Sequence, residues 1–547
     1  MDSERDASRR RMLLPCAVAF TSSLLLALGS PANDDGRLAD GAPSLVWLGF
    51  VPLAWVARAV ADQSPRRRFF VGWIGGLCVG LVGFPWIAET LVRFADAPLP
   101  LAGLGLFAFS AWTAVPFGIW VALMGPSPRH GWRAWVWPPV AWVGLVACWP
   151  AFFPYTVVIG LAQEPAWMQA AELGGVALCE AQVVLVGVLL ARALQERTRI
   201  ARLRLGLLGL ALPVASFGLG SWRMAVIDDE ARDAPRVAIG LVQPNVPLLA
   251  NEPYDKMGRL WTMSRDAEGA GAQVIVWPEA GAFPYRAVKP LLHDFPDPRR
   301  RVMRLHRAPT IFGAASIDPD GQYEYNTVYA LASDGRITGE FDKVVLVPFG
   351  EYVPLVDPEW AIEQIPAMSH NLAGTAPARL EVEPMARPDR PAPATIHFGP
   401  LVCYEDIFIE FARQVAVQPG GIDVFVNVTI DTWFGATAEP WEHLALAQFR
   451  SVEHRIPMVR SVSAGPSTVV DTAGRIAAAL PVRDPVIGKS IDPEMLVSDV
   501  ALPRNTATAP TPFARAGWFL RWIAAFAVAL ALLRALLRWR AQAGGRA

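Results

Sequence analysis

The chain has 547 residues, of which 53% are hydrophobic and 18% are charged, and its mean hydropathy is +0.30. This composition excludes an ordinary soluble protein and indicates that a large part of the chain contacts lipid. The formal net charge of -1 leaves no excess of basic residues, so the composition also argues against binding to nucleic acid.

Seven mainly apolar segments precede residue 227, and an eighth follows the polar region. Each is close to the roughly 20 residues that a membrane-spanning helix needs. The sequence therefore predicts about eight spans, at residues 12–30, 44–61, 69–90, 99–124, 134–152, 166–191, 205–222 and 516–537. Residues 1–30 also fit a signal peptide, but the six spans behind them favour a retained helix.

Short stretches rich in arginine lie between alternate spans. They precede the first predicted span and follow the second, fourth and sixth, for example at residues 9–11, 66–68 and 197–204. By the positive-inside rule these stretches are cytoplasmic. We therefore expect a membrane domain of seven helices at 1–226, an extracytoplasmic domain at 227–510, and a C-terminal transmembrane helix with a cytoplasmic tail at 511–547.

Two carboxylates, Glu172 and Glu180, lie within the sixth predicted span. Because a charge is costly in lipid, such groups usually face a cavity or a partner. Two interpretations stay open: a role at the point where lipid enters the site or, for Glu172, a position at the outer interface.

The polar region alternates short β-branched runs with helical stretches such as 441–455. The runs are typical of strands buried on both faces. They lie at residues 236–243, 273–279, 310–316, 326–332, 401–405, 424–430 and 457–463. The pattern predicts one α/β domain large enough for a substantial core.

The five cysteines divide into two groups. Cys16, Cys78, Cys148 and Cys179 lie in apolar segments, where a small buried hydrophobic side chain is the simplest interpretation. Cys403 alone lies in the polar domain. An unpaired thiol outside the cytoplasm indicates reactivity.

Three predicted strand ends each carry a reactive group. Glu279 ends VIVWPE, Lys343 lies in FDKVVLVPFGEY, and Cys403 lies in GPLVCYE. Taken singly, they also fit a loop carboxylate, a solvated lysine and an inert thiol. Taken together, they supply a base, a cation and a nucleophile at the ends of strands, where α/β folds place catalytic groups.

The ordered elements WPE, KxxLVPFGEY and CYE resemble the signature of the nitrilase superfamily, and with the surrounding spans the chain resembles the apolipoprotein N-acyltransferase family. The resemblance covers nearly the whole chain, including DTWFG at 431–435 and DTAGRI at 471–476. It implies a polytopic helical membrane domain joined to an αββα sandwich that carries a Glu-Lys-Cys triad. We expect neither a metal nor a cofactor.

The resemblance also implies a role for each site residue. Cys403 is the nucleophile, Glu279 takes its proton, and Lys343 stabilises the thiolate and the developing oxyanion. Glu351 corresponds to a second glutamate that positions the lysine. The supporting residues Tyr404 and Glu405 match the CYE element, and the backbone N–H of Tyr404 is a natural second oxyanion donor.

The family's reaction passes an sn-1 acyl chain from a membrane phospholipid to the thiol, and then to the α-amine of an S-diacylglyceryl cysteine in an apolipoprotein. The resemblance therefore implies two lipid-anchored substrates, a monomer in the bacterial inner membrane, and a periplasmic catalytic domain.

Two alternatives belong to other functional classes. A membrane-tethered amidase would use water as the acyl acceptor, but eight spans exceed what a tether needs. A transporter or receptor would not require a reactive outer domain, whereas this chain retains all three reactive residues.

The chain departs from the family at three places. It has VTIDTWFG where SNDAWFG is common and SVSAG, at 461–465, where ATNxG is common. The family's tryptophan near Glu252 is absent, and the nearest one is Trp261. These changes leave the preferences for donor and acceptor open.

Overall fold

The computed structural model describes residues 2–544, except 32, 35–36, 39–41, 95, 126–130, 132, 152, 248–252, 322, 349–350, 353–359, 361–370, 389–393 and 485–490. The chain forms two compact units. The first comprises Met1–Ala32, Asp40–Arg223 and Arg515–Ala547, and the second comprises Asn33–Ala39 and Met224–Ala514. The predicted boundary at 226/227 falls inside a helix that runs from Arg199 to Arg232.

The first unit is helical. Its helices are α1 (Asp2–Gly29), α2 (Val51–Ala59), α3 (Pro65–Gly83), α4 (Trp86–Phe94), α5 (Leu99–Thr113), α6 (Val115–Met124), α7 (Arg133–Cys148), α8 (Ala171–Gln195), α9 (Arg199–Arg232) and, after the second unit, α13 (Leu520–Gly544). Short 3-10 turns lie at Pro43–Leu48, Ile159–Gln163, Pro165–Met168 and Gly517–Phe519.

Four helical segments of the described chain are long and apolar enough to cross a membrane: Leu99–Met124, Ala171–Gln195, Arg199–Arg232 and Gly517–Arg538. The pair Pro65–Gly83 and Trp86–Arg93 makes a fifth if it is one span bent by 53°. Shorter apolar helices lie at Leu13–Gly29 and Pro43–Ala59. The first unit is therefore a membrane region with four or five helices of spanning length.

Glycines let α3 pack closely against α5 and α6. A Cβ at Gly76 would lie 2.6 Å from the Phe117 ring, and one at Gly80 would lie 2.5 Å from the Ser110 hydroxyl oxygen. Neither distance is tolerable, so only residues without a side chain fit here. Close backbone approach through small residues is how helices associate in lipid, where burial of apolar surface gives no driving force.

The second unit contains two large mixed sheets, besides a two-stranded sheet formed by Asn33–Asp34 and Arg37–Leu38. The strands of the large sheets are β1 (Arg236–Gln243), β2 (Val274–Val276), β3 (Ala287–Val288), β4 (Thr310–Ile317), β5 (Glu324–Leu331), β6 (Ile337–Asp342), β7 (Leu380–Val382), β8 (Ile396–Val402), β9 (Val424–Thr429), β10 (Met458–Val462), β11 (Thr468–Val470), β12 (Ile476–Ala479) and β13 (Glu494–Ala501). One sheet has the order β12-β11-β10-β9-β8-β7, and the other has the order β13-β1-β2-β4-β5-β6 with β3 beside β4. The central pairs β8–β9, β9–β10, β1–β2 and β2–β4 are parallel.

Alternating side chains of β1 show how the sheets are layered. Val237, Ile239 and Leu241 belong to one buried cluster with Val426 and other residues of the opposite sheet. Val242, on the other face of the strand, packs in a second cluster with Met257 and Leu260 of α10 (Pro253–Gly269). Helices α11 (Ile409–Val417) and α12 (Glu439–His454) contribute to the first cluster. The unit is an α/β sandwich with its main core between the sheets.

Each predicted strand overlaps an observed one, with shifts of up to five residues at one end. The β1 bounds agree with the prediction, whereas the run 273–279 forms a strand only over Val274–Val276. The prediction at 401–405 was wrong at both ends, since β8 runs from Ile396 to Val402 and a 3-10 turn, Cys403–Ile407, follows. This turn matters because it begins with the reactive cysteine.

Candidate active site

Three strand ends place the reactive groups in one buried site. Glu279 follows β2, Lys343 follows β6, and Cys403 follows β8. Lys343 Nζ lies 3.5 Å from Glu279 Oε1, and the charges of both residues act on the thiol of Cys403. The structure thus brings together the three side chains that the sequence singled out.

A second carboxylate completes a buried charged cluster around Lys343. Lys343 Nζ donates a hydrogen bond to Glu351 Oε1 at 2.9 Å, and only 1% of the lysine is exposed. Asn326, on β5, donates to Glu279 Oε1 at 2.7 Å and lies 3.4 Å from Glu351 Oε1. The ammonium therefore lies between two carboxylates whose spacing an amide helps to set.

The pKa of each group in this cluster follows from burial and neighbouring charge. Burial opposes the charge on Lys343, but the negative charges of Glu351 and Glu279 prevail and raise its pKa well above the ordinary value. Burial raises the pKa of Glu279, against the attraction of Lys343. The site therefore holds a permanent cation beside a carboxylate that is a better base than an exposed one.

A glycine on β4 makes room for Glu279. A Cβ at Gly313 would lie 2.7 Å from the Cα and carbonyl carbon of Glu279. The Gly313 backbone N–H also donates to the carbonyl of Pro278 at 3.1 Å. Strand β4 thus holds the residues after β2 by direct backbone contact, which fixes the base.

Cys403 begins its turn in a left-handed conformation, with φ of 53°. Residues other than glycine rarely adopt this conformation, and strain of this kind clusters at functional sites. Asn427, on the neighbouring strand β9, donates from Nδ2 to the Cys403 carbonyl at 2.8 Å and so helps to hold it.

Burial raises the pKa of the Cys403 thiol well above its ordinary value, the charge of Glu279 adds to the increase, and the charge of Lys343 opposes it. The resting site therefore favours a protonated thiol. A base must remove this proton for the sulfur to attack, and Glu279 is the carboxylate whose charge acts most strongly on it.

Glu405 connects the lysine segment to the cysteine turn. Its Oε1 accepts hydrogen bonds from the backbone N–H groups of 344–345 at 2.7 and 2.8 Å, and its Oε2 accepts one from Val402 at 2.8 Å. Burial raises the pKa of Glu405 to about 8, against the effect of these donors. The side chain thus fixes the position of Lys343 relative to Cys403.

Tyr404 is also part of the site. Its hydroxyl donates to the Leu346 carbonyl, and its ring meets Phe408 edge to face at 4.9 Å between centroids. Lys343 Nζ lies 5.6 Å from the centroid of the tyrosine ring. The residue packs the lysine segment against the cysteine turn, and burial raises its pKa.

Asn326 and Asn427 are site residues that the sequence reasoning missed. Each is a buried amide in a mainly apolar run, NTVYALA and VFVNVTI. A buried polar group needs a partner, so an amide within such a run signals a specific contact. That signal was present in the sequence but does not reveal the partner.

One buried group of side chains has the spacing of metal ligands. Among the described residues, ligand atoms of Asp431, Glu439 and His443 lie within 4.8 Å of one another. However, His443 Nε2 lies 2.9 Å from Asp406 Oδ1 and Nδ1 lies 3.3 Å from Asp431 Oδ1. An ionised carboxylate only accepts hydrogen bonds, so both nitrogens act as donors and the ring has no lone pair for a metal.

The two acids of the helical unit have protein partners. Glu172 accepts hydrogen bonds from Arg223 at 2.8 and 2.7 Å, and Glu180 accepts one from Thr156 at 2.6 Å. Glu252, near which the family's tryptophan is missing, lies outside the described residues. Of the other departures, Ser461 joins the sheets, since its hydroxyl lies 3.1 Å from the Val242 carbonyl oxygen and 3.0 Å from that of Val276 and donates to one of them at a time.

The chain is similar to known proteins in both units. It matches the carbon-nitrogen hydrolase family profile over residues 238–498 and the apolipoprotein N-acyltransferase N-terminal domain profile over residues 22–189. The apolipoprotein N-acyltransferase of Sinorhizobium medicae is 30% identical over 85% of this chain and 87% of its own length. The apolipoprotein N-acyltransferase of Allorhizobium ampelinum is 28% identical over 87% of this chain and 88% of its own length. A nitrilase-superfamily structure from Saccharomyces cerevisiae is 17% identical and covers 49% of this chain and 90% of its own, with a TM-score of 0.35.

Replacing Glu405 by glutamine tests the connection between the two segments. In the wild type, three backbone N–H groups donate to the two carboxylate oxygens of Glu405. In the variant, the glutamine NH2 group replaces one of these oxygens and faces at least one of the N–H groups. We expect acyl transfer by Glu405→Gln to fall about tenfold to a hundredfold, as small misplacements of catalytic groups do. Glu410→Gln, a control on the partly exposed face of α11, should retain activity. Wild-type rates in Glu405→Gln would show that the connection is not needed.

Proposed function

The chain belongs to the apolipoprotein N-acyltransferase family, and on that premise we propose that it transfers an acyl chain from a phospholipid, through a thioester on Cys403, to the N-terminal amine of diacylated apolipoproteins. The observation that carries this proposal is the group of a half-buried thiol, a buried ammonium and a buried carboxylate at three strand ends. A chain with helices of membrane-spanning length meets both substrates at the bilayer.

The first half-reaction forms the thioester. The Cys403 sulfur attacks the ester carbonyl of the phospholipid while Glu279 accepts the thiol proton. Negative charge moves to the carbonyl oxygen, where the Lys343 ammonium and the backbone N–H of Tyr404 stabilise it. When the intermediate collapses, the ester C–O bond breaks, and the departing lysophospholipid oxygen takes the proton from Glu279.

The second half-reaction transfers the acyl chain. The neutral α-amine of the lipoprotein cysteine attacks the thioester carbonyl, and the same cation stabilises the oxyanion. Glu279 removes a proton from the attacking nitrogen, and the C–S bond breaks. The departing sulfur takes that proton from Glu279, the product is an amide, and the enzyme returns to its resting state. The order of events requires ping-pong kinetics.

Glu351 supports both steps through Lys343. The lysine is fully buried, and an ammonium in such a place keeps its charge only beside anions. Glu351 also accepts a hydrogen bond from the Val347 backbone N–H at 2.8 Å, which ties it to the lysine segment. We assign it a positioning role, because it acts on the reacting atoms only through Lys343.

We further propose eight membrane crossings, with residues 227–510 as the periplasmic catalytic domain of a bacterial inner-membrane protein. Four or five helices meet the length of a span. The remaining predicted spans coincide with the apolar part of α1, Leu13–Gly29, and with α2 and α7, and these are shorter. The arginine-rich loops support this orientation. Both lipid-anchored substrates are then reached from the outer leaflet.

Cysteine labelling tests the orientation. Single cysteines are introduced next to Arg67 or Arg199, and intact cells are treated with an impermeant thiol reagent. These cysteines should not react, because the proposed orientation makes both loops cytoplasmic. A cysteine next to Asp318 should react. Reaction of the 66–68 loop from outside would reverse the orientation and move Cys403 to the cytoplasm.

Accumulation of the thioester tests the reaction itself. Incubated with phospholipid and no amine, the purified enzyme should gain one acyl chain on Cys403, seen by intact mass and removed by neutral hydroxylamine. Cys403→Ser should form no hydroxylamine-sensitive adduct. Glu279→Gln should form the thioester slowly, since removing a general base costs about a hundredfold or more.

The acceptor decides between transferase and amidase. A diacylglyceryl-cysteine peptide with a free amine should discharge the thioester into an amide. The same peptide with an acetylated amine is the control and should leave the adduct in place. Decay to free fatty acid at one rate with either peptide would establish water as the acceptor, and absence of any adduct on Cys403 would exclude the covalent route.

A further inference from the structure

A set of charged side chains lies buried beside the Cys403 turn and takes no part in the steps above. Its members are Asp406, Asp431, His443 and Arg460, each at most 2% exposed. They come from four different elements: the 3-10 turn that begins with Cys403, the loop after β9, α12 and β10. We call this set the His443 network.

The geometry of the His443 network requires two cations and two anions. Besides the contacts of its ring with the two aspartates, Arg460 lies 3.2 Å from Asp406 Oδ2 and 3.8 Å from Asp431 Oδ2. Since both ring nitrogens face carboxylate oxygens, the ring is an imidazolium. Opposite charges in equal number suit burial, because a single unpaired charge there costs several kcal/mol.

Two further buried acids, Glu439 and Glu442, lie on α12 with His443. Among the described residues, Asp406, Asp431 and Arg460 face His443 from other elements, and Glu439 does so from α12. Burial raises the pKa of Glu439 well above its ordinary value, and the charge of Asp431 adds to the increase. Glu442 is also buried on α12, and its negative charge raises the pKa of Glu439 further.

The network reaches the nucleophile through Thr429. Strands β8 and β9 are parallel, with Val402 paired to Val428, so Cys403 and Thr429 are the next residues of the same register. The Thr429 hydroxyl donates a hydrogen bond to Asp431 Oδ1 at 3.2 Å. It also lowers the pKa of the Cys403 thiol, as a donor beside the sulfur does.

Thr429 has one hydroxyl proton for two acceptors. An ionised Asp431 attracts this proton, and so does a Cys403 thiolate. The positive charges of His443 and Arg460 balance the charge of Asp431, so Asp431 attracts the Thr429 hydroxyl proton less strongly. The hydroxyl is then free to donate to the sulfur when negative charge forms there.

On the basis of the proposed function, we propose that Thr429 is a further catalytic residue, which donates a hydrogen bond to the Cys403 sulfur as the thiolate forms and departs, and that the His443 network holds Thr429 and the cysteine turn in register. His443 is a positioning residue in this account, since it touches neither substrate nor sulfur.

Thr429→Val and Thr429→Ser separate the hydroxyl from its volume. Valine keeps the shape and removes the donor, so thioester formation at saturating phospholipid should slow about tenfold or more, the worth of a hydrogen bond to a charged group. The phospholipid concentration for half-maximal rate should change less than about twofold, since ground-state binding is untouched. Serine keeps the hydroxyl and should recover most of the rate. Thr468→Val is the matched control, because Thr468 is buried in β11 of the same sheet.

Alkylation of Cys403 by iodoacetamide, mapped by peptide mass, provides a readout that needs no phospholipid. Thr429→Val should slow it relative to wild type and to Thr429→Ser, because the thiolate loses a donor. If wild type alkylates but forms no thioester, the proposed function fails while this comparison still decides the role of Thr429. The proposal is overturned if Thr429→Val is alkylated and acylated as fast as wild type. It is also overturned if Thr429→Ser is as slow as Thr429→Val.

A double variant tests the link to His443. His443→Gln should slow both reactions, and adding Thr429→Val should cost little more, because both changes remove one interaction. If the rate of the double variant falls by the product of the two single losses, the two residues act independently and the link is overturned. His454→Gln, equally buried on α12 between Phe425 and Phe513, is the control for disturbing that helix. If His443→Gln does not fold, the Thr429 pair decides the central claim.

Discussion

The buried ammonium of Lys343 between Glu279 and Glu351 is the interaction on which the rest of the site depends. Removing three charges from water costs several kcal/mol each, and only close pairing with good geometry offsets such a cost. The surrounding structure supplies that geometry. Asn326 spaces the two carboxylates, Gly313 leaves room for Glu279, and Glu405 fixes the lysine segment.

This cluster determines when the nucleophile becomes reactive. A preformed thiolate attacks rapidly but is also readily oxidised. In this site, burial and the charge of Glu279 keep the proton on Cys403 until a carbonyl arrives. The ammonium then stabilises the charge that passes from the sulfur to the carbonyl oxygen. An enzyme proposed to work outside the cytoplasm benefits from a thiol that is ionised only during attack.

Local pattern predicted much of this arrangement because strand ends are local. The β-branched runs located β1, β4 and β9 to within a residue or two, and the residues that follow strands located Glu279, Lys343 and Cys403. Contacts between distant segments were beyond that reasoning. Glu405 reaches a segment about 60 residues away, and nothing near it in sequence indicates that partner.

Breaks in regular structure were likewise hidden. Hydropathy treated residues 69–90 as one span, yet α3 ends at Gly83, α4 begins at Trp86 and the pair bends by 53°. Pro85 explains the break, since proline disfavours helical geometry in the residue before it. The left-handed backbone of Cys403 was also not predicted, because the apolar run before it continues smoothly into the turn.

The pH dependence of Cys403 alkylation, mapped by peptide mass, tests the control of the thiol most directly. In wild type the rate should keep rising beyond about pH 8.5, the ordinary pKa of a free thiol, because the pKa of Cys403 is raised. In Lys343→Met the profile should move further toward alkaline pH, since the cation that favours the thiolate is gone. In Glu279→Gln it should move toward acid pH, since the repelling carboxylate is gone. A wild-type rate already at its plateau at neutral pH, or profiles unmoved by both substitutions, would contradict this account.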